Sequence, residues 1–108
     1  MKNNSAVLIT HILNCINSLE KYSKGLEKNE FLNNEEKQDA IIRKLEIIGE
    51  AVTNLEHDFK ERYPYIPWQD ISDMRNKLIH EYFSVDLELI WEVLQKDLPE
   101  LKKNILAF

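Results

Sequence analysis

The sequence predicts an all-α protein, a bundle of four or five helices. Only two Gly and three Pro interrupt 108 residues, and Leu, Ile, Glu, Lys and Asn dominate where a sheet would need more Val, Thr and aromatic residues. Apolar residues also recur at intervals of three and four along most of the chain, which is the period of an amphipathic helix. A chain of this length is expected to form a single domain, residues 1–108.

The first helix is predicted from about Ser5 to Leu26, with Ser5 as its N-cap. Its apolar stripe consists of residues three or four positions apart: Ile9, Ile12, Ile16 and Leu19. Cys15 is the only cysteine, so the chain alone can form no disulfide, and we interpret Cys15 as a small core residue rather than a reactive thiol. The polar run Glu27–Glu30 is predicted to be a turn.

The second helix is predicted to begin at Asn33 or Asn34, since Asn33 with Glu36 resembles a capping box. Its apolar stripe is the most regular in the chain and runs through Ile41, Leu45, Ile48, Val52, Leu55 and Phe59. This regular spacing indicates a helix packed at a shallow angle in a bundle. Gly49 lies in mid-helix, where it costs about 1 kcal/mol relative to Ala. We therefore expect another helix to approach closely at Gly49.

Two carboxylates, Glu46 and Glu50, lie four positions apart on this second helix. Such a pair occurs in metal sites of helical bundles, but those sites also need a Glu-x-x-His companion. The sequence contains none. We interpret the pair as a solvated or Arg/Lys-paired face, and we expect neither a metal nor another cofactor.

The segment Tyr63–Trp68 interrupts the helices, because each of its two prolines pushes the preceding residue towards an extended conformation. Three of its side chains are too apolar for a free linker: Tyr65, Ile66 and Trp68. They could stack on nucleotide bases. Packing over the end of the bundle is the simpler interpretation, and Pro67 suits the first turn of the next helix.

The third helix is predicted from Trp68 to Tyr82, and Asp86 is the expected N-cap of a fourth. The apolar stripe of the fourth helix consists of Leu87, Ile90, Trp91, Leu94, Leu98, Leu101 and Ile105. Pro99 either kinks this helix or starts a fifth one near Asp97.

The net charge of −5 argues against a general nucleic-acid coat protein, which would present a basic face to polyphosphate. No apolar run approaches the ~18 residues of a membrane span, and the first residues do not resemble a signal peptide. The single cysteine is typical of a reduced compartment. A cytoplasmic protein without a membrane partner is therefore expected.

The third helix carries the densest group of side chains with catalytic or phosphate-binding chemistry. At 100° per residue, its inward stripe consists of Ile71, Met74, Leu78 and Tyr82. Asn76 and His80 share the opposite, outward face, and Arg75 lies at the border. Arg75 and His80 are about 140° apart on an ideal helix. They form one site only if the helix loosens near His80 or if a second helix completes the site.

Arg75 and His80 together have the chemistry that RNA cleavage needs. His titrates near neutrality and can take or give a proton, whereas Arg offers a permanently charged fork that fits a phosphate. One group can deprotonate the 2′-hydroxyl, which attacks its own phosphodiester, while a cation stabilises the charge on phosphorus. Spacing alone fits an ordinary solvated face better than a catalytic site.

The stretch Arg75–Tyr82 resembles the Arg-x4-6-His signature of HEPN domains, in the Arg-x4-His-x-Tyr form of the HepT-like toxins. The resemblance extends beyond the motif. Residues Ile42–Ala51 are similar to the family's second-helix block ending in Gly-Glu-Ala, Ile66–Trp68 to its approach to the motif, and Val85–Pro99 to its C-terminal helix. It covers roughly residues 40–101.

This resemblance implies a HEPN-like helical homodimer that cleaves RNA, not DNA, without a metal and acts as a toxin. Arg75 would bind and stabilise phosphate, His80 would act as acid and base, and Asn76 would orient His80 or hydrogen-bond phosphate. The implied partner is a nucleotidyltransferase antitoxin, which would silence the toxin by transferring AMP from ATP to Tyr82. Bulk and negative charge at that position would oppose RNA binding.

Two other interpretations remain open at this point. One is a non-catalytic helical module that binds a nucleotide or a partner and is paired with a nucleotidyltransferase. The other is a plain helical scaffold without a site.

Overall fold

The structure is a computed structural model that describes residues 4–81 and 84–108. Within these ranges every regular element is helical, which confirms the predicted all-α class. The elements are α1 (Ser5–Ser23), α2 (Lys28–Leu32), α3 (Glu35–Asn54), α4 (His57–Arg62), α5 (Trp68–His80), α6 (Leu87–Glu92), a π-helical segment (Val93–Asp97) and α7 (Leu98–Leu106). No helix in the described ranges is both long and apolar enough to cross a membrane.

The central element is α3, which packs against α1 on one side and against α5 on the other. The stripe residues that lie on α3 are buried, as are Gly49 and Ala51 beside them, so α3 uses two faces. The C-terminal helices return across the bundle, where α7 contacts α1 and α6 contacts α2. The least exposed side chains of this core are Phe31, Ile12, Ile16, Leu19, Ile41, Ile66, Ile90 and Val52.

The first helix begins at Ser5 as predicted, and α3 follows Asn34, one of its two predicted starts. The capping residues differ from Ser5 and from the capping box suggested at Asn33. Asn4, not Ser5, caps α1, because the Asn4 side-chain oxygen accepts a hydrogen bond from the Ala6 N–H at 2.9 Å. Asn34 rather than Asn33 caps α3, through the Lys37 N–H at 3.0 Å. An amide oxygen on a short side chain can satisfy these otherwise unpaired donors as well as a hydroxyl can.

The predicted turn at Glu27–Glu30 is wrong, because a short helix, α2, begins there at Lys28. The Glu30 carboxylate accepts a hydrogen bond from the Glu27 N–H at 3.0 Å, which satisfies a free donor at the start of the helix. Phe31 is fully buried and anchors α2 to the core. Before α2, the chain turns at Gly25, whose φ is 72°, so α1 ends at Ser23 and not at Leu26.

The predicted continuous helix through Phe59 is also wrong, because α3 ends at Asn54. Leu55 has an extended backbone, with φ −66° and ψ 143°, yet its side chain is 4% exposed. Leu55 therefore stays in the core after the helix has ended. Phe59 lies on α4 instead, half-buried against the aromatic rings of Tyr63 and Trp68.

The segment before α5 packs over the end of the bundle, as predicted. Ile66 and Trp68 are buried, and the Trp68 indole N–H lies 3.1 Å from the carbonyl oxygens of both Lys60 and Tyr63. Tyr65 differs from the expectation, since it remains largely exposed. These contacts fix the position at which α5 begins.

After α5, Asp86 caps α6 as predicted, and its carboxylate accepts a hydrogen bond from the Leu89 N–H at 3.2 Å. Pro99 lies in the first turn of the last helix, α7, which begins at Leu98 directly after Asp97, as one of the two predictions stated. The helix passes from α6 through a π-helical turn, in which the Leu98 N–H bonds to the Val93 carbonyl, and continues as α7 with Pro99 in its first turn. Proline lacks an N–H to donate to residue 95, so a wider turn just before it accommodates the ring.

Candidate functional site

The candidate site lies on the second half of α5, where the helix turns its polar face outward. Leu78 is buried and Ile71 and Met74 are partly buried against the core. Asn76 and His80 are exposed. The predicted division of α5 into an inward and an outward face is therefore confirmed for the described residues.

Arg75 sits at the border of these two faces and is held by two polar partners. One terminal nitrogen of its guanidinium lies 2.5 Å from a carboxylate oxygen of Glu50 on α3. The other donates a hydrogen bond to the Asn76 side-chain oxygen at 2.9 Å. The side chain of Arg75 is 28% exposed, so the charged fork reaches the surface from a partly buried stem.

The stem of Arg75 passes directly over Gly49, where the backbones of α3 and α5 come close. A Cβ placed on Gly49 would overlap the Arg75 Cβ and would lie 2.8 Å from its Cγ. No side chain fits at position 49 without moving Arg75. The predicted close approach at Gly49 is confirmed, and the approaching residue is Arg75.

One polar atom of Arg75 has no partner among the described residues. Its Nε is buried and makes no hydrogen bond there. A buried N–H without an acceptor destabilises the folded state. The contacts at Gly49, Glu50 and Asn76 therefore hold Arg75 in a position that burial alone does not favour.

Asn76 contacts Arg75 rather than His80 in this structure. Its side-chain oxygen accepts the hydrogen bond from Arg75, so its amide nitrogen points away from that bond and retains two N–H donors. The Asn76 side chain therefore helps to position the guanidinium and offers donors beside it.

His80 is the last residue of α5 and is exposed. The helix is regular up to this point, and the next N–H, of Glu81, still bonds to the Lys77 carbonyl at 2.8 Å. The helix does not loosen near His80, so Arg75 and His80 keep their separation of about 140° around the axis. The described part of the chain brings Arg75, Asn76 and Glu50 together but gives His80 no hydrogen-bond partner. Tyr82, the expected AMP acceptor, lies outside the described residues.

The carboxylate pair Glu46 and Glu50 on α3 is paired with arginines, as interpreted from the sequence. Glu46 lies 3.3 Å from Arg43, and Glu50 pairs with Arg75. In the described ranges no three His, Cys, Asp or Glu side chains are grouped so that they could hold a metal ion.

The sequence indicated Gly49 and Glu50 separately but did not connect either of them to Arg75. Gly49 marked a close approach without naming the approaching residue, and Glu50 was only a member of an acidic pair. The sequence signal for this contact is a glycine next to a glutamate in mid-helix. The glycine permits close approach of a second helix, and the glutamate supplies a negative charge for a cationic side chain on it. Only the packing of α3 on α5 identifies Arg75 as the common partner.

Comparison with known proteins places this chain in a family. The sequence profile described as "Ribonuclease HepT-like" matches residues 12–108. The chain is 40% identical over 102 residues to a protein of Thermococcus cleftensis named "Probable ribonuclease HepT", covering 94% of this chain and 93% of that protein. It is 43% identical over 97 residues to a protein of Caldanaerobacter subterraneus named "Putative RNase", covering 90% of this chain and 87% of that protein.

A relative in Methanocaldococcus jannaschii is longer than this chain. It is named "Gamma-glutamylcyclotransferase and putative RNase" and is 45% identical over 106 residues, which are 98% of this chain but 48% of that protein. The chain thus spans about half the length of this relative. No solved structure matches the chain significantly. The profile match and the two relatives of similar length agree, and the chain belongs to the HepT-like ribonuclease family.

Proposed function

We propose that this protein is a metal-independent endoribonuclease and the toxin of a toxin–antitoxin pair. The observation that carries the proposal is the fixed guanidinium of Arg75, which reaches the surface on the same helix as the exposed His80. A phosphate-binding cation and a proton-transfer group on one element match the chemistry of phosphodiester cleavage. Membership of the HepT-like ribonuclease family supports RNA as the substrate.

In this proposal Arg75 binds the scissile phosphate. A guanidinium can donate two parallel hydrogen bonds to phosphate oxygens, and its charge stabilises the additional negative charge of the transition state. Holding the stem against Gly49 reduces the motion that must be lost when substrate binds. Asn76 adds amide donors next to the guanidinium for a further phosphate oxygen.

His80 acts as the acid and base of the reaction. Its imidazole takes the proton of the 2′-hydroxyl, whose oxygen then attacks phosphorus and forms a 2′,3′-cyclic phosphate. The bond from phosphorus to the 5′-oxygen breaks, and the same imidazole returns the proton to the departing 5′-oxygen. This route needs the 2′-hydroxyl, so the proposed substrate is RNA and not DNA.

A homodimer is part of the proposal because Arg75 and His80 point away from each other on one regular helix. Two copies of α5 facing each other could place Arg75 of one chain near the partner subunit's His80. A two-fold axis would form two such sites, since each chain contributes both groups to the shared cleft.

The proposed control of the toxin is covalent. A nucleotidyltransferase antitoxin would transfer AMP from ATP to the hydroxyl of Tyr82, two residues after His80, with release of pyrophosphate. Each AMP brings a negative phosphate that repels the substrate backbone and adds bulk at the cleft. The position of Tyr82 in the motif supports this assignment.

The test is expression of the chain without its partner, with growth and RNA integrity as readouts. Wild type should arrest growth and degrade RNA, whereas Arg75→Ala and His80→Ala should do neither. Arg43→Ala and His11→Ala are matched controls, because both residues are exposed and lie outside the motif on other helices, α3 and α1. If His80→Ala arrested growth as well as wild type does, the catalytic proposal would be wrong and a non-catalytic binding module would be favoured.

A further inference from the structure

We propose that Glu50 occupies the phosphate position of Arg75 in the RNA-free protein and is displaced by the substrate. This inference rests on the proposed function, since it assumes that Arg75 receives a phosphate. It assigns two opposing effects to Glu50. Its carboxylate keeps the guanidinium in place, and its charge competes with the incoming RNA.

The geometry of the ion pair carries the first step. Glu50 accepts at 2.5 Å from one terminal nitrogen of Arg75, while the other terminal nitrogen donates to Asn76. The Nε is buried and makes no hydrogen bond among the described residues. The Glu50 carboxylate thus binds one of the two terminal nitrogens of the fork, and the Asn76 oxygen binds the other. Phosphate and carboxylate oxygens bind the same donors of a guanidinium with similar geometry.

The difference in exposure between the two side chains identifies which of them can move. The Glu50 side chain is 56% exposed, twice the 28% of Arg75. The Arg75 stem is confined between α5 and Gly49, whereas the Glu50 carboxylate can rotate into water without uncovering apolar surface. Exposed ion pairs are weak and screened by salt. A phosphodiester can therefore replace Glu50 while the guanidinium stays where it is.

This arrangement predicts that two substitutions of Glu50 tighten RNA binding by different amounts. Removing the Glu50 charge relieves the repulsion between its carboxylate and the RNA backbone, so binding becomes tighter. Removing the side chain altogether also lets the guanidinium of the RNA-free protein move, so part of the gain in binding is lost. A residue that only stabilised the fold would not tighten binding in either variant.

The test uses His80→Ala as the background, so that RNA binding is measured without cleavage. In this background Glu50→Gln should bind a short single-stranded RNA roughly fivefold more tightly at low salt, because one like charge beside the phosphate is removed. The difference should shrink as salt is added. Glu46→Gln is the matched control, since Glu46 lies one turn away on α3 and pairs with Arg43 instead; it should leave RNA affinity unchanged.

Cleavage kinetics provide the second readout. With His80 intact, Glu50→Gln keeps an oxygen acceptor for Arg75 and should lower KM with little change in kcat. Glu50→Ala should lower KM less than Glu50→Gln does, again with little change in kcat. This split between KM and kcat is not expected from a loss of stability.

The buried Nε of Arg75 gives a measurement that does not depend on a variant of Glu50. Its N–H resonance in the folded His80→Ala protein should shift when the RNA is added. An unchanged resonance would overturn the inference. So would a Glu50→Gln protein that binds RNA no more tightly than its background, or a Glu46→Gln protein that shows the same gain. Wild type that cleaves no RNA would refute the proposed function instead, while the binding comparison would still decide the role of Glu50.

Discussion

Gly49 and Arg75 are in direct contact, with the backbone of one helix against the side-chain stem of the other. A Cβ at position 49 would lie 2.8 Å from the Arg75 Cγ, well inside ordinary van der Waals separation. The contact joins α3 to α5 at the residue that carries the guanidinium. Any side chain at position 49 must therefore displace Arg75 or push the two helices apart.

Substitution Gly49→Ala should lower the free energy of unfolding by about 1–3 kcal/mol, the usual range for overpacking, and should abolish most RNA cleavage. Gly25→Ala is the matched control. Gly25 has a φ of 72°, and a Cβ added to it would meet no atom within 4 Å. The Gly25→Ala protein should therefore lose about 1–2 kcal/mol of stability through backbone strain alone. Its cleavage activity should remain. Urea denaturation measures the stability of both variants, and an RNA cleavage assay measures their activity. Equal activity of the Gly49→Ala and Gly25→Ala proteins would contradict the role of the Gly49–Arg75 contact.

Cys15 should react slowly with thiol reagents in the native protein and rapidly in denaturant. The residue is 7% exposed, and burial raises the pKa of its thiol, with a smaller opposing effect from Lys44. The folded state keeps the thiol proton to higher pH than the unfolded state does, so stability should fall as the pH rises above about 8.5. Cys15→Ala should flatten that alkaline loss. Unfolding measured between pH 7 and 10 would reveal the difference.

Phe108→Ala should destabilise the end of the bundle by about 0.5–1.5 kcal/mol, the range for an aromatic pair. The Phe108 ring stacks on Tyr63 with centroids 4.1 Å apart and meets the edge of Phe59 at 5.7 Å. Leu106→Ala is the control, since Leu106, at 61%, is the most exposed large apolar residue that the structure describes. Thermal melts should show a lower Tm for Phe108→Ala only. Equal decreases in Tm for the two variants would mean that the stacking of Phe108 on Tyr63 contributes nothing beyond apolar area.

Asp86→Ala should cost about 1 kcal/mol, the usual value of an N-cap. Its carboxylate satisfies the Leu89 N–H at the start of α6, which would otherwise have no helical partner. Asp86→Asn should retain most of the stability, because an amide oxygen can accept the same hydrogen bond. Chemical denaturation of both proteins tests this prediction, and two equally destabilised variants would point to the charge instead.

Much of this fold follows from the sequence because apolar spacing and capping residues act locally. The stripe of α3, the outward face of α5 and the cap at Asp86 were all predictable in this way. The end of α3 was not, since Leu55 keeps the helical spacing while its backbone is extended. The start of α2 was missed because its N-cap is Glu27, which is not a typical capping residue.

The faces on which the motif residues of α5 lie were predictable, but their contacts were not. The motif supplied Arg75, Asn76 and His80, and helical periodicity gave their directions. The partner of Arg75 lies 25 positions earlier in the chain, and only the packing of two helices selects Glu50 from the acidic residues of α3. The assignment of Tyr82 rests on the motif alone.

The unbroken helix between Arg75 and His80 makes the proposed activity depend on the concentration of the protein. If the reacting groups meet only across two chains, as proposed, an isolated chain carries a complete set of groups and no working site. The number of paired chains rises with the square of the free concentration when most chains are single. Cleavage per molecule would then increase as the protein accumulates, and simple dilution would silence it. Under this proposal, a cell could tolerate a low level of the protein, because most chains would then be unpaired and inactive.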